Sequence, residues 1–161
     1  MSPLARMRSA GDERQVSLYG VRFRYRVDSD ESGGSVAVIE VEIPPLTLVK
    51  PHEHTREDEF TLVLEGKVGA RLGDEVSQLG AGATLIKPRG IPHALWNPTR
   101  SVARIVEILT PAGFERYFEE LAPVLAMQGN SKAYYELSER YGVRILDEWI
   151  PELEEKHGVK L

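Results

Sequence analysis

Between positions 37 and 43 apolar and polar side chains alternate, with Ala37, Ile39, Val41 and Ile43 interleaved by Val38, Glu40 and Glu42. A two-residue period of this kind predicts a strand with one buried face, and Pro44 and Pro45 end it. Further short apolar or alternating runs cover 60–65, 68–72, 75–79, 83–87, 93–96 and 102–109. They are separated by turn formers at Gly66, Gly73 with Asp74, Gly80 with Gly82, and Asn97 with Pro98. So many short strands at this spacing predict a β-sandwich or barrel. Helical periodicity is absent over that stretch.

Upstream, Val21–Val27 places Arg22, Arg24 and Arg26 on one face and Val21, Phe23, Tyr25 and Val27 on the other. The arginine face reads as a charged edge strand, or as a partner for the acidic C-terminal segment, rather than as an anion site. Positions 28–35 read as a Ser/Gly/Asp turn. After Pro111 the period changes. Phe114, Tyr117, Phe118, Leu121 and Leu125 fall on one helical stripe, which Pro123 interrupts or kinks. A second helix is expected from an N-cap at Asn130 or Ser131 to Tyr141, with Gly142 as its stop and Ala133, Tyr134, Leu137 and Tyr141 facing inward. A shorter third helix is expected over 148–156.

The chain has 161 residues with 42% hydrophobic content. That is enough for one core and short for two. The expected organisation is a β-barrel with N-terminal strands over 1–110 and a helical extension over 111–161 packed on its outside. Net charge is −5, and no Lys/Arg-dense run with interleaved aromatics occurs, which argues against nucleic acid and anionic membranes as partners. No apolar run has signal-peptide or membrane-spanning length, so a cytoplasmic location is expected. With no cysteine in the chain, any metal must be held by nitrogen and oxygen donors.

Three of the 4 histidines, His52, His54 and His93, lie in the β region. On a strand, residues two apart share a face, so His52 and His54 project side by side while Glu53 points away. The polar stretch from Thr55 to Asp58 reads as a turn that resets the register. Glu59 then heads an apolar strand whose inner face also carries Thr61 and Val63. A carboxylate buried alone costs several kcal/mol, roughly, and a divalent cation offsets that cost. The four side chains together point to a metal site. His157 lacks such company and is read as a solvent-exposed residue outside the site. Asn97, just before Pro98, reads as a turn former, and Trp96 as packing.

Two stretches carry a family resemblance: His52-x-His54 followed by Glu59 and Gly66, and Gly82 followed by Pro88, Gly90, His93 and Asn97. In residue type and spacing they are similar to the two sequence motifs of the cupins, over about 36–109. The resemblance implies a mainly β, double-stranded β-helix (jelly-roll) barrel, metal ligands at His52, His54, Glu59 and His93, and a homodimer. Within the cupins, the approach through Pro44 and Pro45 and the ending from Thr110 to Glu115 resemble the small, quercetin-dioxygenase-like group.

Three imidazoles and one carboxylate give a divalent site a net charge of about +1, with about two positions open. An anionic small molecule is the expected partner. The function read from this is oxidative cleavage of an enolisable compound, a flavonol or a β-dicarbonyl, with Fe, Mn, Ni or Co. Glu59 serves as the catalytic proton acceptor, and Val41, Thr61, Val63, Leu95 and Ile105 form the pocket wall. Two other readings stand beside it: a non-catalytic small-anion sensor, and an isomerase or lyase of a sugar or hydroxy acid, which bound Zn would favour.

Overall fold

A computed structural model of the chain describes residues 7–127, 129 and 131–161. The alternating runs form strands: β1 (Gln15–Leu18), β2 (Val21–Val27), β3 (Ala37–Ile43), β4 (His52–His54), β5 (Asp58–Glu65), β6 (Lys67–Leu72), β7 (Glu75–Gly80), β8 (Thr84–Lys87), β9 (His93–Trp96) and β10 (Ala103–Thr110). A short helix, α1 (Ser29–Ser32), lies between β2 and β3 where only a turn was expected. Asp28 closes a reciprocal cap with Glu31 there, which satisfies backbone donors that a plain turn would leave free. Helices α2 (Glu115–Ala126) and α3 (Ser131–Arg140) follow, then a strand β11 (Val143–Ile145), a 3-10 turn at Asp147–Trp149, and α4 (Ile150–His157). Asn130, offered as an alternative N-cap, lies outside the described residues.

Two antiparallel sheets enclose the interior as a jelly roll. One has the order β1-β2-β3-β10-β5-β8 and the other β11-β4-β9-β6-β7. Inward parity holds along β10, where Ala103, Ile105, Glu107 and Leu109 are all buried, and along β5, where Glu59, Thr61 and Val63 are. The apolar stripe of α2 and the Tyr134 and Leu137 face of α3 join this same core. Pro123 is accommodated within a continuous α2. Among the described residues no helix is long and apolar enough to cross a membrane.

Three expectations are corrected. The segment after Pro111 is not helical throughout, because β11 returns to the smaller sheet and pairs with β4 in the register Val143↔His54 and Ile145↔His52. The arginine strand β2 is not an edge, since it lies between β1 and β3. Its charges meet acids of β3 rather than of the C-terminal segment: Arg24 reaches Glu42 at 2.8 Å and Arg26 reaches Glu40 at 2.5 Å. His157 is half-buried rather than exposed. Its ring stacks on Trp96 with centroids 4.3 Å apart, over a small second core of Leu48, Ala94, Trp96, Leu153 and Val159.

Candidate metal centre

The four side chains come from both sheets. β4 carries His52 and His54, and β9 brings His93 opposite His52 in the same sheet. Glu59 arrives from β5 in the facing sheet. The loop before β9 is fixed by a hydrogen bond from Gly90 N to His54 O at 2.7 Å and by Arg89, whose Nη2 donates to Asp58 Oδ2 at 2.8 Å. Gly90 has φ of 77°, a conformation that favours glycine. Asn97 closes the other end of β9. It is fully buried, and its Nδ2 donates to the carbonyls of Ile43, Pro44 and Ser101 at 2.7 to 3.0 Å.

One donor atom from each of the four residues lies within 4.8 Å of all the others. His52 Nε2 is 3.2 Å from both His54 Nε2 and His93 Nε2, while Glu59 Oε2 is 3.2 Å from His93 Nε2 and 3.5 Å from His54 Nε2. Around an ion about 2.1 Å from each donor, neighbouring donors sit about 3.0 to 3.4 Å apart. The set therefore fits a divalent cation. The outer nitrogens support the fit. His52 Nδ1 lies 2.7 Å from Lys50 O and His93 Nδ1 lies 3.1 Å from Ile91 O. A carbonyl can only accept, so each Nδ1 carries the proton and each Nε2 lone pair faces inward. His54 Nδ1 instead faces Glu57 Oε2 at 3.4 Å.

Electrostatics divide the three imidazoles. Burial, followed by the neighbouring imidazoles, holds His52 well below the usual histidine range. Burial also lowers His93. For His54 burial acts the same way, but the carboxylates of Glu57 and Glu59 outweigh it and raise the ring to about 9. Burial would raise Glu59, yet Lys87 and the facing imidazoles hold it well below the carboxylate range.

Three charged groups here were missed in the sequence. Lys87 Nζ lies 2.8 Å from Glu59 Oε2 and 2.9 Å from Glu107 Oε2, which also accepts from Thr61 Oγ1 at 2.9 Å. Burial, then the Glu59 charge, pushes Glu107 up to about 7. The signal for both was parity. Glu107 alternates with Ile105 and Leu109, and Lys87 is two residues from Leu85 on β8. Glu57, beside His54, was absorbed into the expected turn and had no such signal.

The centre opens into a barrel cavity with about 60 Å³ of space for water centres. Of the expected wall residues, Val41, Leu95 and Ile105 line it, together with Glu59, Lys87 and Glu107. Thr61 and Val63 share the inward face but do not line the space. Thr61 is occupied by Glu107, and Val63 is packed in the core.

Residues 39–109 match the family model for the cupin domain. Among solved structures, KdgF from Halomonas sp. superposes with a TM-score of 0.60 at 15% identity, covering 67% of this chain and 94% of that one. A conserved protein with a double-stranded β-helix domain from Klebsiella pneumoniae gives 0.56 at 18% identity, covering 68% and 92%. A variant of oxalate decarboxylase from Bacillus subtilis gives 0.56 at 19% identity, covering 63% of this chain and 28% of that one. No curated protein sequence matches the chain. At these identities the likeness to solved structures carries the fold alone.

Proposed function

Starting from a chain that carries a small cupin domain over residues 39–109, we propose that it is a metal-dependent dioxygenase cleaving a compact enolisable molecule of the β-dicarbonyl type. The observation that carries this reading is the convergence of three imidazole Nε2 atoms and Glu59 Oε2 on a small cavity whose remaining wall is largely apolar. Cavity size argues against the flavonol, which carries three rings, because at about 60 Å³ this space is less than half of the ~150 Å³ that admits a single benzene ring.

A divalent Fe, Mn, Ni or Co ion bound by His52, His54, His93 and Glu59 would supply Lewis acidity and redox chemistry at this point. The chain's own groups do the rest. Glu59, kept ionised beside Lys87, would accept the acidic C–H proton of the substrate by giving up the place of Oε2 among the metal donors. With Glu59 protonated, the Lys87 ammonium 2.8 Å from its Oε2 is released from that partner to offset the negative charge left on the substrate. Val41, Leu95 and Ile105 keep water from the resulting anion. Lys50 O and Ile91 O hold the His52 and His93 rings in the orientation described.

One observation favours a second reading, a non-oxidative isomerase or lyase. Glu107 faces the same cavity, and burial, followed by the Glu59 charge, pushes its carboxyl up to about 7, which suits a group that takes and returns protons near neutral pH. Elemental analysis of protein purified without added metal separates the two, run beside a His52→Ala/His93→Ala variant and an oxygen electrode with acetylacetone as substrate. Near-stoichiometric iron, manganese, nickel or cobalt, lost in the variant, with oxygen uptake on acetylacetone, is expected. Zinc without oxygen uptake would favour the isomerase or lyase, and absence of any metal after reconstitution would overturn the site.

A further inference from the structure

A second cavity, with about 70 Å³ of space for water centres, lies between the β1–β2 hairpin, α2, α3 and β11. Leu18, Val21, Leu121, Tyr134, Val143 and Ile145 form its outer wall. Its inner wall is shared with the barrel cavity: Phe23, Val49, His52, Phe114 and Phe118 line both spaces. The two cavities therefore meet across the ring of a metal-site histidine. Several of the shared side chains are held by ring contacts, with Phe23 and Phe118 stacked at 4.2 Å and Phe114 edge-on to His54 at 4.3 Å.

Lys50 and Tyr117, two of the polar residues on the wall of this cleft, are already engaged. Lys50 Nζ is 2.6 Å from Asp147 Oδ1 and lies over the Tyr134 ring, so it offers no free charge to a second anionic group. The Tyr117 hydroxyl is bonded to Ser138 Oγ at 2.8 Å. What remains is apolar and aromatic surface around a space larger than packed interiors leave without reason. The volume is about half that of a benzene-binding cavity, which corresponds to a short aliphatic group.

We propose that this cleft receives an aliphatic arm of about three to four carbons carried by the same substrate whose enolisable head lies at the metal centre. This rests on the reading of the head given above. It adds that the substrate is an unsymmetrical, amphiphilic acyl compound, with the α2–α3 cleft, of which Leu121 is a wall residue, setting chain-length specificity.

The test is calorimetric titration of Ni(II)-loaded protein under nitrogen with acetylacetone and with analogues whose terminal methyl is lengthened to ethyl, propyl, butyl and pentyl. Affinity is expected to rise about fourfold per methylene as far as propyl or butyl and then level. In Leu121→Trp, which fills the cleft, the ratio of butyl to methyl affinity collapses. In Leu121→Ala, which deepens it, the plateau moves to a longer chain, so the proposal does not depend on one overpacked variant folding. Acetylacetone binding with no gain along the series, or a gain unmoved in both variants, would overturn the arm. A separate titration of n-butanol into metal-free protein, followed by the methyl resonances of Leu18, Val21 and Leu121, isolates the cleft from the metal. Shifts at those methyls without acetylacetone binding would leave the apolar site standing and sink the reading of the head. Absence of shifts there would overturn the cleft.

Discussion

Lys87 is a fully buried ammonium between two carboxylates, Glu59 and Glu107. Removing one partner of a buried ion pair is costly because the other charge stays behind, typically about 3–5 kcal/mol. Lys87→Met is expected to lower the stability of the metal-free protein by about that much, read from the urea midpoint. The Lys87→Met/Glu107→Leu double variant should recover part of the loss, because one orphaned carboxylate goes with it. Additive losses would show that the pair is not coupled. His54 gives a pH signature in the metal-free protein. Against the effect of burial, the Glu57 and Glu59 carboxylates raise the folded ring to about 9, above the ordinary histidine value of about 6.5, so the folded state holds a proton that the unfolded state releases. The stability it contributes is complete below about pH 6.5 and is lost as pH rises toward about 9. Denaturation midpoints across that window should fall, and the fall should shrink in Glu57→Gln, where the carboxylate facing His54 Nδ1 is neutral. A flat profile in the parent protein would remove the protonated His54.

At the level of elements, β9 is the strand on which the site depends, and its position is set by what lies beneath Trp96. Gly69 on β6 is paired with Trp96. A Cβ on Gly69 would lie 2.0 Å from the indole, so only glycine lets the ring lie flat there. Gly69→Ala is expected to destabilise the protein by about 1–3 kcal/mol or more through overpacking. Gly69→Ala/Trp96→Leu should lose less than the sum of its single variants by urea denaturation, since the smaller side chain removes the clash. Strand parity made much of this element legible: His93 and Leu95 face the barrel interior, while Trp96 faces the second core. The partner of β4 was not legible. β11 is three residues long, follows a helix stop at Gly142, and is strand only because β4 offers it an open edge. A segment that short carries too little pattern to be read without its partner.

For the molecule as a whole, the larger sheet leaves apolar side chains uncovered on its outer face, among them Leu62, Leu64 and Ile86. The same region ends in the open edge of β8. These features support the proposal that two copies associate through this face, since an apolar face beside an open edge is a surface that stable proteins cover. Light scattering is expected to give a dimer, and Leu62→Glu/Ile86→Glu is expected to give a monomer that retains its metal content. A monomer in the parent protein would discard the dimer.

The alternation of apolar residues and the spacing of turns were enough to establish a β-sandwich or barrel, because burial on one face of a strand imposes a period that survives in the sequence, and the two histidine motifs narrowed it to the jelly roll. The clustering of His52, His54 and Glu59 was legible for the same reason, since parity sets the two histidines side by side and a register-resetting turn points Glu59 into the same interior, while His93 was legible from the second motif. Only the tertiary structure decided what surrounds them. Lys87 and Glu107 meet Glu59 because β8 and β10 flank β5. Glu57 becomes a partner of His54 by the path of one turn, and His157 is drawn from solvent onto Trp96 by the docking of α4. Such contacts join residues far apart in the chain, or turn on the course of a single loop. They depend on which strands and helices become neighbours, and no local period records that choice.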